Sequence, residues 1–206
     1  MYHSTIKGFK MQSGLYVVGT PIGNLSDMSP RAVEVLKNVD LIAAEDTRVF
    51  AKLAHHFDIK TKTVSCHEHN EREVVDSLVE KIINGQAIAT VSDAGMPGIS
   101  DPGFRLVRAA RAANVPVFMV PGSTAVISAL VLSGFPTDRF TFCGFFDKKK
   151  VKESIVERKA KDFICIQADI EKKNDNINID HKRRIEGFKK TNRKFFEQNY
   201  YFICQK

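Results

Sequence analysis

Five short polar strings in this 206-residue chain each stand directly after an apolar run: "GTPIGNLSD" from Gly19, "EDTR" from Glu45, "CHEHNE" from Cys66, "SDAGMPGISDPG" from Ser92 and "PGSTA" from Pro121. Carboxylates and imidazoles at Asp46, Glu45 and His67 are of the types that accept a proton from a hydroxyl. Arg48 and His69 are of the types that orient a nucleic-acid backbone. His67 and His69, two residues apart, point to one side in an extended segment. Neither the HExxH spacing nor a cysteine partner accompanies them, so no metal is expected. The fourth string is the most specific. Asp93 ends an apolar run, Gly95 and Gly98 permit backbone geometry other residues resist, and Pro97 and Pro102 limit the entropy lost on ordering. Such a loop presents backbone amides and carbonyls to a ligand with Asp93 beside them.

Elements that alternate along the chain must hold these strings. "LYVVG", "DLIAAE", "KTVSC", "QAIATVSD" and "VPVFMV" read as strands, and the stretches between them have apolar residues at helical spacing. Ser29 and Pro30 form an N-cap and first-position pair for "SPRAVEVLKNV". "TRVFAKLAHHF" fits a second helix. Asn70 as N-cap, Glu73 three residues on and Gly85 as the stop frame a third. Asp101 and Pro102 are expected to open the fourth, and a fifth runs from Ser123 through Leu132. Strands and helices alternating in this way predict an α/β fold, a mostly parallel sheet with helices on both faces. In such sheets ligands collect at the carboxyl ends of the strands, where all five strings emerge.

Several classes are excluded. "GTP" at Gly19 is followed by no GxxxxGK[ST] phosphate loop, and both GxGxxG and GxSxG are missing. Gly19 and Gly23 flank Pro21 in a stiff turn able to approach a flat ligand. No apolar run nears the roughly 20 residues of a membrane span, and the first ten residues lack the apolar core of a signal peptide, so a cytoplasmic protein is expected. Cys66, Cys143, Cys165 and Cys204 lack CxxC spacing and read as unpaired thiols. The net charge of +7 lies wholly in the last part of the chain: residues 1–146 carry 14 basic and 14 acidic residues, residues 147–206 carry 17 and 10. Such a basic run can track phosphates or be a solvated or disordered segment.

Taken together, "GLYVVGTPIGNLSDMSPRAVEVLKNVDLIAAEDTR", "HEHNE", "VSDAGMPGISDPG", "VPGSTA" and "LSGFPTDRFTFCGFF" resemble the tetrapyrrole methylase family, in its branch that modifies ribosomal RNA. The likeness runs from about residue 14 to 163. It implies S-adenosylmethionine as methyl donor, no metal, and methylation of the ribose 2′-hydroxyl of a cytidine in 16S ribosomal RNA of the small subunit. It also implies two α/β domains with the donor in the cleft between them, and a homodimer. By position, Pro21 and Ile22 match the first donor loop, Asp93, Gly95 and Met96 the loop taking its polar end, Ile99 and Ser100 the continuing wall, and Thr124 and Ala125 the small residues beside the adenosine. Asp46, Glu45 and His67, in that order, are the candidates for any catalytic base, and Arg48 and His69 for RNA contact.

The expected organisation is an N-terminal extension over 1–13, with Met1 or Met11 as start, a methyltransferase domain over 14–135, the beginning of a second α/β domain over 136–166, and a divergent, poorly ordered basic tail over 167–206. After "KDFICI" the family's pattern gives way to "QADIEKKNDN", which reads as a truncated or frameshifted, incomplete second domain that leaves apolar surface of the first uncovered. Two rival readings stand beside the methyltransferase: a non-catalytic remnant that binds RNA or a partner, and a small-molecule methyltransferase of tetrapyrrole type.

Overall fold

The structure is a computed structural model; it describes residues 11–134, residues 137–142 and the strands at 165–169 and 201–205. The expectations for residues 1–10, for the thiol of Cys143 and for most of the tail lie outside the described residues. The chain divides into two compact units, residues 1–124 and residues 125–206.

The first unit is built on five strands, β1 (Gly14–Val18), β2 (Leu41–Ala44), β3 (Thr63–Ser65), β4 (Ala87–Val91) and β5 (Val117–Val120), in the order β3-β2-β4-β1-β5. Every pairing is parallel. Four helices connect them: α1 (Pro30–Asn38), α2 (Thr47–His56), α3 (Glu71–Ile83) and α4 (Phe104–Ala112). The links β1-to-β2 and β2-to-β3 step across the sheet one way, and β3-to-β4 and β4-to-β5 step back. Right-handed crossovers therefore put α1 and α2 on one face, and α3 and α4 on the other.

The core follows this division. Tyr16, Val18, Ile42, Ala44, Ala89 and Val91 pack with Ala32, Val35, Leu36 and Phe50 of α1 and α2. Their neighbours in the strands, Leu15, Val17, Leu41, Ala43 and Ile88, pack with Val75, Leu78, Ile82, Leu106 and Ala110 of α3 and α4. Alternate residues of one strand thus serve opposite faces, and β1, β2 and β4 are buried throughout because both faces are covered. The α/β class expected from the sequence is the one observed.

Local signals set most boundaries. Ser29 Oγ accepts the Ala32 amide at 3.1 Å with Pro30 as the first helical residue, as expected. Gly85, at φ +93°, ends α3. Two expected caps differ. Asn70 stands at the start of α3 but makes no capping bond; its Oδ1 accepts the His67 amide at 2.8 Å and its Nδ2 donates to the Ser65 carbonyl at 3.1 Å, so it braces the preceding loop instead. Asp101 does not cap α4, which begins only at Phe104 behind Gly103 at φ +115°.

In the second unit, α5 (Ala125–Leu132) is apolar apart from Ser128, and β6 (Thr141–Phe142), β7 (Cys165–Asp169) and β8 (Tyr201–Gln205) form a parallel sheet in the order β6-β8-β7. The β7 strand lies within "DFICIQADI", and the "YFIC" that begins at Tyr201 lies in β8. No helix of the described residues is long and apolar enough to cross a membrane.

Leu36 is fully buried between α1 and the sheet. Leu36→Ala is expected to lower unfolding stability by about 2–5 kcal/mol, the usual cost of a large-to-small change in a close-packed core, with the loss read from a urea unfolding midpoint.

Candidate functional site

Because all five strands run parallel, the loops after β1, β2, β4 and β5 leave the same edge of the sheet. The strand β4 lies between β1 and β2, and its loop leads to α4 on one face while theirs lead to α1 and α2 on the other. A crevice between oppositely directed connections is where open α/β sheets hold ligands.

The loops are fastened to one another. Thr20 and Gly95 exchange backbone bonds in an isolated antiparallel bridge, with the Thr20 amide on the Gly95 carbonyl at 2.9 Å and the reverse at 3.2 Å. The buried Thr20 hydroxyl donates to the Ser92 carbonyl at 3.1 Å. Gly95 holds φ +93°, and a Cβ there would lie 3.4 Å from Ile22 Cγ2 and 3.5 Å from the Ser123 carbonyl. This position brings the first, fourth and fifth loops together. Gly19 and Gly122 touch backbone to backbone: a Cβ on Gly19 would sit 2.6 Å from Gly122 Cα and from Met96 Sδ. The sequence suggested that Gly19 serves approach to a ligand; the structure uses its bareness for approach to Gly122.

A second fastening joins β2 to β4. Asp93 Oδ1 accepts the Asp46 amide, and the Asp93 amide donates to Glu45 Oε2, both at 3.2 Å. Asp46 then caps α2, its Oδ1 accepting the Arg48 amide at 2.8 Å, while its two oxygens take the Arg48 guanidinium at 3.1 and 2.8 Å. Hydrogen bonds to Arg48 hold the Asp46 carboxyl far below the usual carboxylate range. A carboxylate that binds its proton so weakly is a poor proton acceptor. Arg48 itself is almost fully exposed.

His67 and His69 stand ring to ring, edge to face, with centroids 5.9 Å apart. His67 Nδ1 accepts the Asn70 amide at 3.2 Å, which commits that lone pair to the turn. Among the described residues no three His, Cys, Asp or Glu side chains gather as a metal site would require.

The expected donor residues fall as follows. Pro21 and Gly95 are buried, Ile22, Met96 and Thr124 are half-buried, and Asp93, Ile99 and Ser100 are exposed, with Ser100 in the left-handed region at φ +59°. Ala125 opens α5 in the second unit. Exposed Ile99, Phe104 and Met119 put apolar surface on the first unit.

Glu71 is the residue that sequence reasoning missed. It looks like one more rim carboxylate in "HEHNE", yet it is 4% exposed. Its Oε1 accepts the amides of Gly103 at 3.0 Å and Arg105 at 3.1 Å, and Oε2 lies 3.6 Å from Arg105 Nε. It caps α4 from another helix and pins the far end of the glycine-rich loop, a negative charge at the positive end of the helix. No local pattern near Gly103 signals this; the acid at the first position of α3 was its only trace. Burial and the Glu71 charge push the neighbouring Cys66 thiol up to about 11, which keeps it protonated.

Glu71→Ala leaves one buried amide, Gly103, and one partly buried amide, Arg105, without this acceptor and is expected to cost about 1–3 kcal/mol, whereas Glu71→Gln keeps an acceptor oxygen and most of that stability. Urea unfolding of the two variants checks the difference.

Residues 14–185 match the family described as Tetrapyrrole (Corrin/Porphyrin) Methylases. Over 135 residues the chain is 58% identical to a Ribosomal RNA small subunit methyltransferase I of Synechocystis, covering 66% of this chain and 48% of the relative. It is 54% identical to the protein of the same description from Pseudomonas aeruginosa, with the same coverage. The chain spans about half the length of the curated relatives it matches. A solved diphthine synthase is 15% identical at a TM-score of 0.53, covering 69% of this chain and 58% of that one, a likeness of fold alone. The sequence match and the parallel sheet with its joined loops agree: this chain belongs to the tetrapyrrole methylase family.

Proposed function

We propose that this chain carries the donor-binding part of an S-adenosylmethionine-dependent methyltransferase that modifies the ribose 2′-hydroxyl of a cytidine in 16S ribosomal RNA. The proposal extends to action on the small ribosomal subunit in the cytoplasm, as a homodimer and without a metal. The observation that carries the reading is the joining of the first, fourth and fifth loops around Gly95. The names of the relatives, which describe methylation of small-subunit ribosomal RNA, supply the acceptor class.

The residues suit such a donor. Gly95 leaves space where any other residue would be strained at φ +93°. Pro21, Ile22, Met96 and Ile99 offer apolar contact for an adenosine, with Ser100 and Thr124 completing the proposed wall; the resemblance assigns Ala125, the next residue in the chain, to the same donor. Asp93 is an exposed carboxylate on the loop that takes the polar end of the donor, and its anchoring by the Asp46 amide fixes its position. The bound sulfonium would supply an electrophilic methyl group.

Within this reading the chain's own groups position rather than pull. Glu45 holds the Asp93 amide, and Asp46 orients Arg48 toward solvent, where an exposed guanidinium suits an RNA phosphate beside His69. His67 braces its turn through Nδ1. Alignment of reacting groups is worth roughly 7–11 kcal/mol of a barrier, enough to carry transfer without a strong base.

Calorimetric titration with S-adenosylmethionine is expected to show one site, weakened about tenfold or more by Asp93→Ala, a difference of about 1.4 kcal/mol; no heat from the wild type would end the reading. Transfer of labelled methyl to small subunits rather than to a porphyrinoid separates it from a small-molecule enzyme. Asp46→Asn keeps the cap oxygen and is expected to retain most transfer, while a hundredfold loss would return Asp46 to the role of base.

A further inference from the structure

Beside the loop edge, on the face of the sheet covered by α3 and α4, lies a shallow groove of about 300 Å³ between the two helices. Val75, Ala109 and Ala112 floor it, and Arg72, Arg105 and Arg108 line it. We propose that this groove binds the phosphate backbone of RNA flanking the nucleotide to be modified. The inference rests on the RNA-directed reading above and adds to it a surface that is separate from the donor loops.

Placement is the first argument. Arg72 and Arg105 are each the second residue of their helix. Both helices begin at the loop edge, one just after His67 to Asn70 and the other just after the glycine-rich loop. Arg108 lies three residues further, about 4.5 Å along the axis of α4. The groove therefore opens at the rim of the candidate site and leads away from it, as a track for a strand whose target nucleotide is held at the rim.

Charge is the second. Glu71 is the one carboxylate paired here, and its Oε1 is already taken by two backbone amides, leaving a 3.6 Å approach of Oε2 to Arg105. Neither Arg72 nor Arg108 forms an ion pair with a carboxylate among the described residues, and both side chains are exposed. Asp76, four residues along α3 from Arg72, is likewise in no ion pair there. Three guanidiniums against one committed carboxylate leave a positive groove within a stretch, residues 1–146, whose 14 basic and 14 acidic residues balance overall. Planar guanidiniums take phosphate oxygens in pairs, and the small alanine and valine floor offers no pocket for an anchoring aromatic side chain.

The test is anisotropy of a fluorescein-labelled, cytidine-containing RNA oligonucleotide titrated with the full chain over a salt series. The wild type is expected to bind with a logarithmic salt slope that Arg72→Ala/Arg108→Ala reduces by about 1.4, two single-strand phosphate contacts. Arg72→Lys/Arg108→Lys is expected to restore the slope, a rescue that loss of folding would not show. An unchanged slope in the alanine variant, no RNA binding by the wild type, or displacement of the RNA by a lower concentration of poly-glutamate would overturn the proposal. Calorimetric donor binding, run in parallel, is expected to be equal in wild type and variants; its absence from the wild type strikes the donor reading, and the salt slope judges the groove.

Discussion

The reciprocal backbone bridge between Thr20 and Gly95 is the constraint on which the loop edge depends. Parallel strands deliver their loops to one side but leave them independent, and the amide and carbonyl groups of such loops need partners. The bridge meets that need across the β1 and β4 exits, and the Thr20 hydroxyl extends it to the Ser92 carbonyl. Ile22 and Ser123 both pass close to Gly95, within 3.4 and 3.5 Å of where a Cβ there would stand. The bareness of Gly19 and Gly122 is then a steric necessity rather than a source of freedom, because either Cβ would enter the other's backbone.

Around that bridge the acidic residues of the rim act mainly as builders. Asp46 caps the start of α2 and grips Arg48, Glu45 and Asp93 hold each other's strands together, and Glu71 caps α4 from a distance. Carboxylates at a strand edge invite an acid-base interpretation, and the hydrogen bonds argue for architecture. Arg48 stays exposed on one side of the rim although Asp46 holds it, and Arg72 and Arg108 are exposed on the other, in no ion pair among the described residues.

Much of the fold was legible from local pattern. Apolar runs located β1 to β5 within a residue or two, most plainly for β1, β2 and β4, which are buried on both faces, and Ser29 with Pro30 marked the start of α1. Glycine, proline and aspartate in "SDAGMPGISDPG" marked an ordered loop. What escaped was every interaction between residues distant in sequence. Asp101 fits a capping pattern, but the amides at the head of α4 are taken by an acid 32 and 34 residues earlier. Asn70 fits one too, and spends its side chain on the turn before it. Gly19 carried no mark of Gly122.

The long reach of Glu71 bears on how the domain assembles. The head of α4 acquires its acceptor only once α3 has docked, and α3 tolerates a buried charge at its first position only once α4 has supplied the amides. Neither helix is complete alone, so the pair and the glycine-rich segment that precedes α4 form one cooperative block. Hydrogen exchange at the Gly103 and Arg105 amides would then report the opening of that block as a whole, rather than fraying at the end of a single helix.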